Sequence, residues 1–290
     1  YYFNNSLIEE KDPVKRFSLY DGETNSPPED ILSKWRNSYE KNERLIIKQN
    51  EVAQEISLLF SNVDIPVLFL NGFAFARFYP NPNARIYTPL DIYCFDKFDE
   101  VMLATKTFGI HFNIKRDDFC EALYKGIVIR FHKNLRFSYF PKRDHKSKIV
   151  EYEKILLDRL SIDKEYYKDE HLKVLVPKGM FYSLYLSQHL YLYYKNYGLL
   201  IRHFIDRSYF ALHSCSSINC EELQKVYKDF SLLTFLETVV QVSKKVLGFS
   251  HELCPLGENV SGMDEKVNHL TSDTFFSCYR SSIRSRIKKY

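Results

Sequence analysis

The chain has 290 residues, 45% of them hydrophobic and 16% aromatic, enough apolar surface for a substantial core and too much for an intrinsically disordered chain. Its 41 basic residues against 37 acidic ones leave a formal charge of +4, far below the excess of a dedicated nucleic-acid binder. No apolar run approaches the roughly 20 residues of a membrane helix, and no charged-then-apolar start resembles a signal peptide, so no membrane association and a cytoplasmic location are expected.

Residues 1–30, with the polar and Pro-rich stretch DGETNSPPED, read as an arm ahead of the first regular element. From Ile31 to Ser61 apolar residues recur at three- and four-residue steps, which predicts a helix, with the lone Trp35 as one of its anchors. IPVLFL (Ile65 to Leu70) is too short for a buried helix and stops at Asn71-Gly72, so it reads as a central strand, and LDIYCF (Leu90 to Phe95) as a second. DKFDEVMLATKTFG follows with helical spacing, an acidic first turn and a Gly109 stop. HFNIKR, FCEALY and IVIRFH are read as strands, the last two forming a hairpin about Gly126.

Beyond Lys142 the pattern turns helical. Pro177 is expected to open a long aromatic helix stopped by Gly198, and three further helical stretches follow, LLIRHFIDRSYFALH, EELQKVYKDF and LTFLETVVQVSKKVLG. The expected organisation is therefore an arm (1–30), an α+β domain (31–145) and a helical domain (146–290). Six scattered cysteines without a C-x-x-C pair are read as reduced, mostly buried thiols.

The stretch from Asn71 to Phe95 is the one that suggests chemistry. A helix that starts directly after a buried strand points unpaired N–H groups at the space above the turn, which suits a phosphate. A carboxylate on the next strand, Asp91, can hold a divalent cation against that phosphate, and a pair spaced D-x-D does so best because both acids share one face.

LNGFAFARFYPNPNARIYTPLDIY has the order and near spacing of a motif in the nucleotidyltransferase superfamily. It resembles in particular a bacterial family of uncharacterised nucleotidyltransferases, in which a Lys-Gly segment leads through Y-P-D-P and an Arg to a G-D-I-D strand. IVIRFHKNL resembles that family's strand with an acid two residues before a His, and the stretch 186–210 its helical signature. The resemblance spans roughly residues 40–215. It implies a nucleotidyltransferase-like mixed β-sheet with helices, followed by a helical domain closing over the cleft. It also implies a nucleoside triphosphate as ligand, with magnesium only if the chain is active.

Matched residue by residue, the resemblance also exposes losses. Gly72 and Arg85 are kept, but Asn71 stands at the usual Lys, Pro89 at the first metal-binding Asp, and Arg130 at the third acid, while Asp91 keeps the second. Asp96, Asp99, Asp117, Asp118 and Glu121 are nearby acids, none a natural substitute. Asp91 alone remains as catalytic and weak metal-binding residue, with Asn71, Gly72, Arg85, Arg130 and His132 left to meet a phosphate or nucleotide.

Arg130 is read either as a cation pairing with Asp91 where the metal would have stood or as a surface residue on an edge strand. His132 is read as structural or as a proton shuttle. His189, Arg202 and Asp206 read as a structural polar network between helices. The basic tail with Arg280, Arg284, Arg286, Lys288 and Lys289 is either a solvated segment or a contact for a nucleic-acid or protein acceptor. Three readings stay open: a degenerate binder of nucleotide or phosphate, a working metal-dependent transferase with a relocated second acid, and a non-catalytic interaction module.

Overall fold

The computed structural model describes residues 28–85, 89–135, 146–196, 198–249 and 265–271. The expected arm and the basic tail therefore lie almost wholly outside the described residues. Two compact units divide the chain: residues 1–134 with 168–176, and residues 135–167 with 177–290.

In the first unit, helix α1 (Glu29–Ser61) buries Ile46, Gln49, Val52, Ala53, Ile56 and Phe60, the three- and four-residue spacing visible in the sequence. Trp35 is not a buried anchor: it is 50% exposed, with Leu32 buried before it and the next buried position of the helix at Ile46. Strand β1 (Leu68–Phe69) leads into the short helix α2 (Asn71–Ala76), then β2 (Leu90–Tyr93), α3 (Phe98–Thr107), β3 (Phe112–Lys115), β4 (Phe119–Tyr124) and β5 (Ile127–His132).

The β4–β5 hairpin turns on Lys125 and Gly126, both at positive φ (49° and 78°), the geometry that matches the twist of two antiparallel strands. β5 alternates: Ile127, Ile129 and Phe131 are buried, and Val128, Arg130 and His132 are partly exposed. On the buried face, the Phe131 ring meets Phe60 of α1 edge-on at 5.9 Å and Phe112 of β3 at 6.1 Å.

The sheet has seven strands in the order β3-β4-β5-β2-β1-β7-β6. β2 pairs with β5 in parallel, while β1–β2 and β4–β5 are antiparallel. It is a mixed sheet in an α+β arrangement, as expected from the sequence. Two of its strands, β6 (Tyr166–Lys168) and β7 (Leu175–Pro177), come from the stretch that reads as purely helical, and β7 runs parallel to β1. At three residues each they are too short for period-two alternation to register.

In the second unit, helices α4 (Lys146–Ser161), α5 (Gly179–Asn196), α6 (Ile201–Ser214), α7 (Cys220–Asp229) and α8 (Leu233–Lys245) follow, with a further helical stretch at residues 265–271. Pro177 closes β7 and does not open α5. The helix begins at Gly179, whose φ of +60° and whose position against the Glu165 carboxylate, 3.3 Å from where a Cβ would stand, both call for glycine. That carboxylate accepts the Phe181 N–H, one of the donors a helix leaves unpaired in its first turn.

α5 is apolar nearly all round, as a helix at the centre of a bundle must be. Its buried hydroxyls are paired within the unit: Tyr227 of α7 meets Ser187 at 2.6 Å and Ser183 at 3.1 Å, and Tyr152 of α4 donates to the Leu184 carbonyl at 2.8 Å.

Candidate functional site

One face of β2, β5 and β4 is polar. The pairing register places Asp91, Arg130 and Glu121 in one row across the three strands, and Tyr93, His132 and Phe119 in the next. Period-two alternation turns all six side chains to the same face, while Ile92, Phe131 and Cys120 go to the core.

Asp91 is 6% exposed, and a carboxylate so placed needs partners. It has three. Asn71 Nδ2 donates to Oδ2 at 2.8 Å, His132 Nε2 lies 2.8 Å from Oδ1, and the Arg130 guanidinium reaches within 3.8 Å of Oδ1. Because an ionised carboxylate only accepts, the contact assigns the proton to His132 Nε2. Burial alone raises the Asp91 pKa; the hydrogen bond and charge of His132, the Asn71 amide and the Arg130 charge together outweigh it, and the carboxyl is held below its usual value.

The chain reaches this geometry through a local device. Asn71, separated from β1 by Leu70 alone, adopts a φ of +50° as the first residue of α2, a left-handed conformation that Asn tolerates better than most residues. The Leu70 N–H donates to the Asp91 carbonyl at 2.8 Å, so β1 and β2 stay locked up to the residue before the amide. It is Asn71, and not its neighbour Gly72, that absorbs the turn.

Arg130 spends most of its hydrogen bonding elsewhere. Its Nε and Nη2 both donate to Glu121 Oε2, at 3.2 and 2.8 Å, and its guanidinium lies 5.0 Å from the Phe119 ring centre. Arg116 covers the same ring at 5.4 Å, and His132 lies 6.1 Å from it. Arg130, Glu121 and His132 keep 32%, 19% and 23% of their side chains exposed, so the row around Asp91 opens to solvent on this side.

The expected site residues thus separate into groups. Asn71, Asp91, Arg130 and His132 converge, with Gly72 next to them on α2. Arg85 closes the 3-10 turn Pro82–Ala84, its N–H donating to Pro82. In the second unit, His189 is flanked by the rings of Tyr185 and Tyr193, at 6.4 and 4.7 Å, while Asp206 is buried and Arg202 exposed.

Sequence reasoning missed the pairing of Arg130 with Glu121, although a signal for it was present. A two-residue turn at Lys125-Gly126 dictates the register, and counting three residues outward from Tyr124 and from Ile127 sets Glu121 opposite Arg130. The same count, five residues outward, sets Phe119 opposite His132, whereas Arg116, outside the hairpin, carries no such signal.

A magnesium ion takes oxygens, usually one or two carboxylates beside substrate phosphates. Here both Asp91 oxygens accept from protein donors, and a guanidinium stands close to one of them. The residues present do not fit a divalent cation, and among the described residues there is no group of three or more His, Cys, Asp or Glu arranged to hold a metal.

A family model described as an uncharacterised nucleotidyltransferase matches residues 18–248, and the chain belongs to that family. No curated protein and no solved structure matches it. Among the described residues no helix is long and apolar enough to cross a membrane.

Proposed function

We propose that this chain is a degenerate nucleotidyltransferase that binds a nucleotide or another phosphate-bearing ligand without a divalent cation. The observation that carries this reading is the occupancy of Asp91. The one acid kept from the family's set has both oxygens engaged, by Asn71 and His132, and a guanidinium beside it. Arg130, partly exposed and owning N–H groups beyond the two it gives Glu121, supplies donors for the ligand's phosphate, with Gly72 and Arg85 from the segment before β2 and Arg116 at the Phe119 ring, while His132 keeps Asp91 engaged. On this reading the fixed cation replaces the metal as the counter-charge.

Thermal-shift titration with a nucleoside triphosphate, with and without magnesium, tests the proposal. Stabilisation is expected to be the same in both conditions, and in Arg130→Gln the affinity should fall about tenfold, so that about tenfold more ligand is needed for the same shift, since a ligand favouring the folded state raises stability by mass action. The competing reading, an active transferase with a relocated second acid, has Glu121 as its candidate, because the register puts it in the Asp91 row. Magnesium-dependent transfer of label from the triphosphate, lost in both Asp91→Asn and Glu121→Gln, would establish that reading and remove the one proposed.

A further inference from the structure

The second unit contains a cavity of about 530 Å³, within the roughly 300–1,000 Å³ typical of small-molecule sites. It is built by α5, α8 and the helical stretch 265–271 alone. Tyr191 and Tyr194, three residues apart on α5, share a helix face, and Phe235 of α8 reaches both. The Phe235 ring meets Tyr191 edge-on at 5.3 Å and lies close to parallel with Tyr194, 29° at 5.1 Å. Thr238 and Leu270, at 6% and 4% exposure, close the deep end.

Charge is confined to the exposed rim. Lys195 and Lys266 face a single acid, Glu265, and His269 adds a ring nitrogen that can donate. The Lys195 ammonium already lies 5.4 Å from the Tyr191 ring centre and 5.7 Å from that of Tyr194. Part of the Lys266 field falls on the buried Glu237, and Lys228 shares in countering that acid. With two ammonium groups against one carboxylate, the rim carries a net positive charge above the aromatic faces.

We propose that this cavity binds a planar ring carrying an anionic group, the ring against Phe235 and the two tyrosines and the anion at Lys195, Lys266 and His269. Half-buried aromatic faces accept any flat π-system, and a solvated cationic rim meets a carboxylate or a phosphate without burying it. A nucleoside monophosphate and an aromatic carboxylate share this chemistry. The cavity is independent of the sheet face around Asp91 and stands or falls separately from it.

The test is calorimetric titration of the full chain with six probes: adenosine monophosphate with adenosine and inorganic phosphate, and benzoate with benzyl alcohol and acetate. At least one of the two probes that combine ring and anion is expected to bind, about tenfold or more tighter than the matching ring or anion alone. Which of the two binds tells the nucleotide source from the carboxylate source. Phe235→Ala should weaken that binding at least about fivefold, the scale of one lost aromatic stack. Lys266→Glu, at an exposed position and checked for folding by unfolding in urea because Lys266 also counters Glu237, should weaken it and reduce its salt dependence.

A binding component lost in Arg130→Gln belongs to the sheet face instead. If all observed binding is of that kind, or survives both Phe235→Ala and Lys266→Glu, the cavity proposal is overturned while the sheet-face reading stands. No heat at probe concentrations of about 1 mM also overturns it.

Discussion

The two units each bring polar side chains together, and they do so in opposite ways. On the sheet, the row Asp91, Arg130 and Glu121 with His132 above it is made of ionisable groups, partly open to solvent and satisfied by one another. Between α5 and α7, Ser183, Ser187 and Tyr227 form a neutral hydroxyl cluster that is fully buried. Neutral hydroxyls lose little on desolvation once paired, so they suit a helix-bundle interior and change nothing with pH. Charged groups lose far more on burial and must recover it from water, from a ligand or, as Asp91 does, from charged and hydrogen-bonding partners. On the proposed function the sheet face is where a ligand would meet charge, while the hydroxyl cluster is architecture.

The largest effect that separates the two is expected from Asp91→Ala. It strands the Asn71 amide, the His132 N–H and part of the Arg130 charge, and unfolding in urea should show a loss of about 2–3 kcal/mol, the scale of hydrogen bonds to an ionised group. A loss below about 1 kcal/mol would mean that water replaces the carboxylate and that the row is less interdependent than its distances suggest. Tyr227→Phe comes next. It removes one hydroxyl shared by two serines, one of which, Ser187, also bonds the Ser183 carbonyl, so a loss of about 1 kcal/mol is expected by the same measurement.

The smallest effect lies in the acid limb of stability against pH. The folded-state pKa of Asp91 is below its unfolded value, so its contribution is complete above about pH 4 and is lost as the pH falls through the lower folded value. Asp91→Asn should flatten that limb, whereas Tyr227→Phe should lower the whole curve without changing its slope. Glu55, also held low by its hydrogen bond to Lys125, keeps some acid dependence in the variant. Glu165 and Glu237, raised by burial, act in the opposite sense and lose stability as the pH rises through their folded values. An acid limb in Asp91→Asn as steep as that of the unaltered protein would show that the sheet-face carboxylate is not the group being titrated.

Much of the sheet was legible before any coordinates. The alternation in IVIRFH and FCEALY sets which side chains leave the core, and Gly126 sets the turn between them. The helix from Glu29 to Ser61 shows in three- and four-residue spacing, because one buried stripe repeats at the helical period over many turns. That the side chains of Pro89 and Arg130 offer no oxygen to a metal is equally a property of the sequence, since it holds in any fold.

Other features depended on contacts between segments far apart in the chain. β6 and β7 are three-residue strands that exist because neighbouring backbone offers them hydrogen bonds, and no local pattern announces that. The helix α5 starts at Gly179 because Glu165, fourteen residues earlier, fills the space of a Cβ and accepts an N–H of its first turn. That both Asp91 oxygens are taken was likewise decided in three dimensions: Asn71 is twenty residues away and His132 forty-one. Sequence determines which donors and acceptors the chain owns, but hydrogen bonds and ion pairs act over a few ångströms, so only the tertiary structure decides which of them meet.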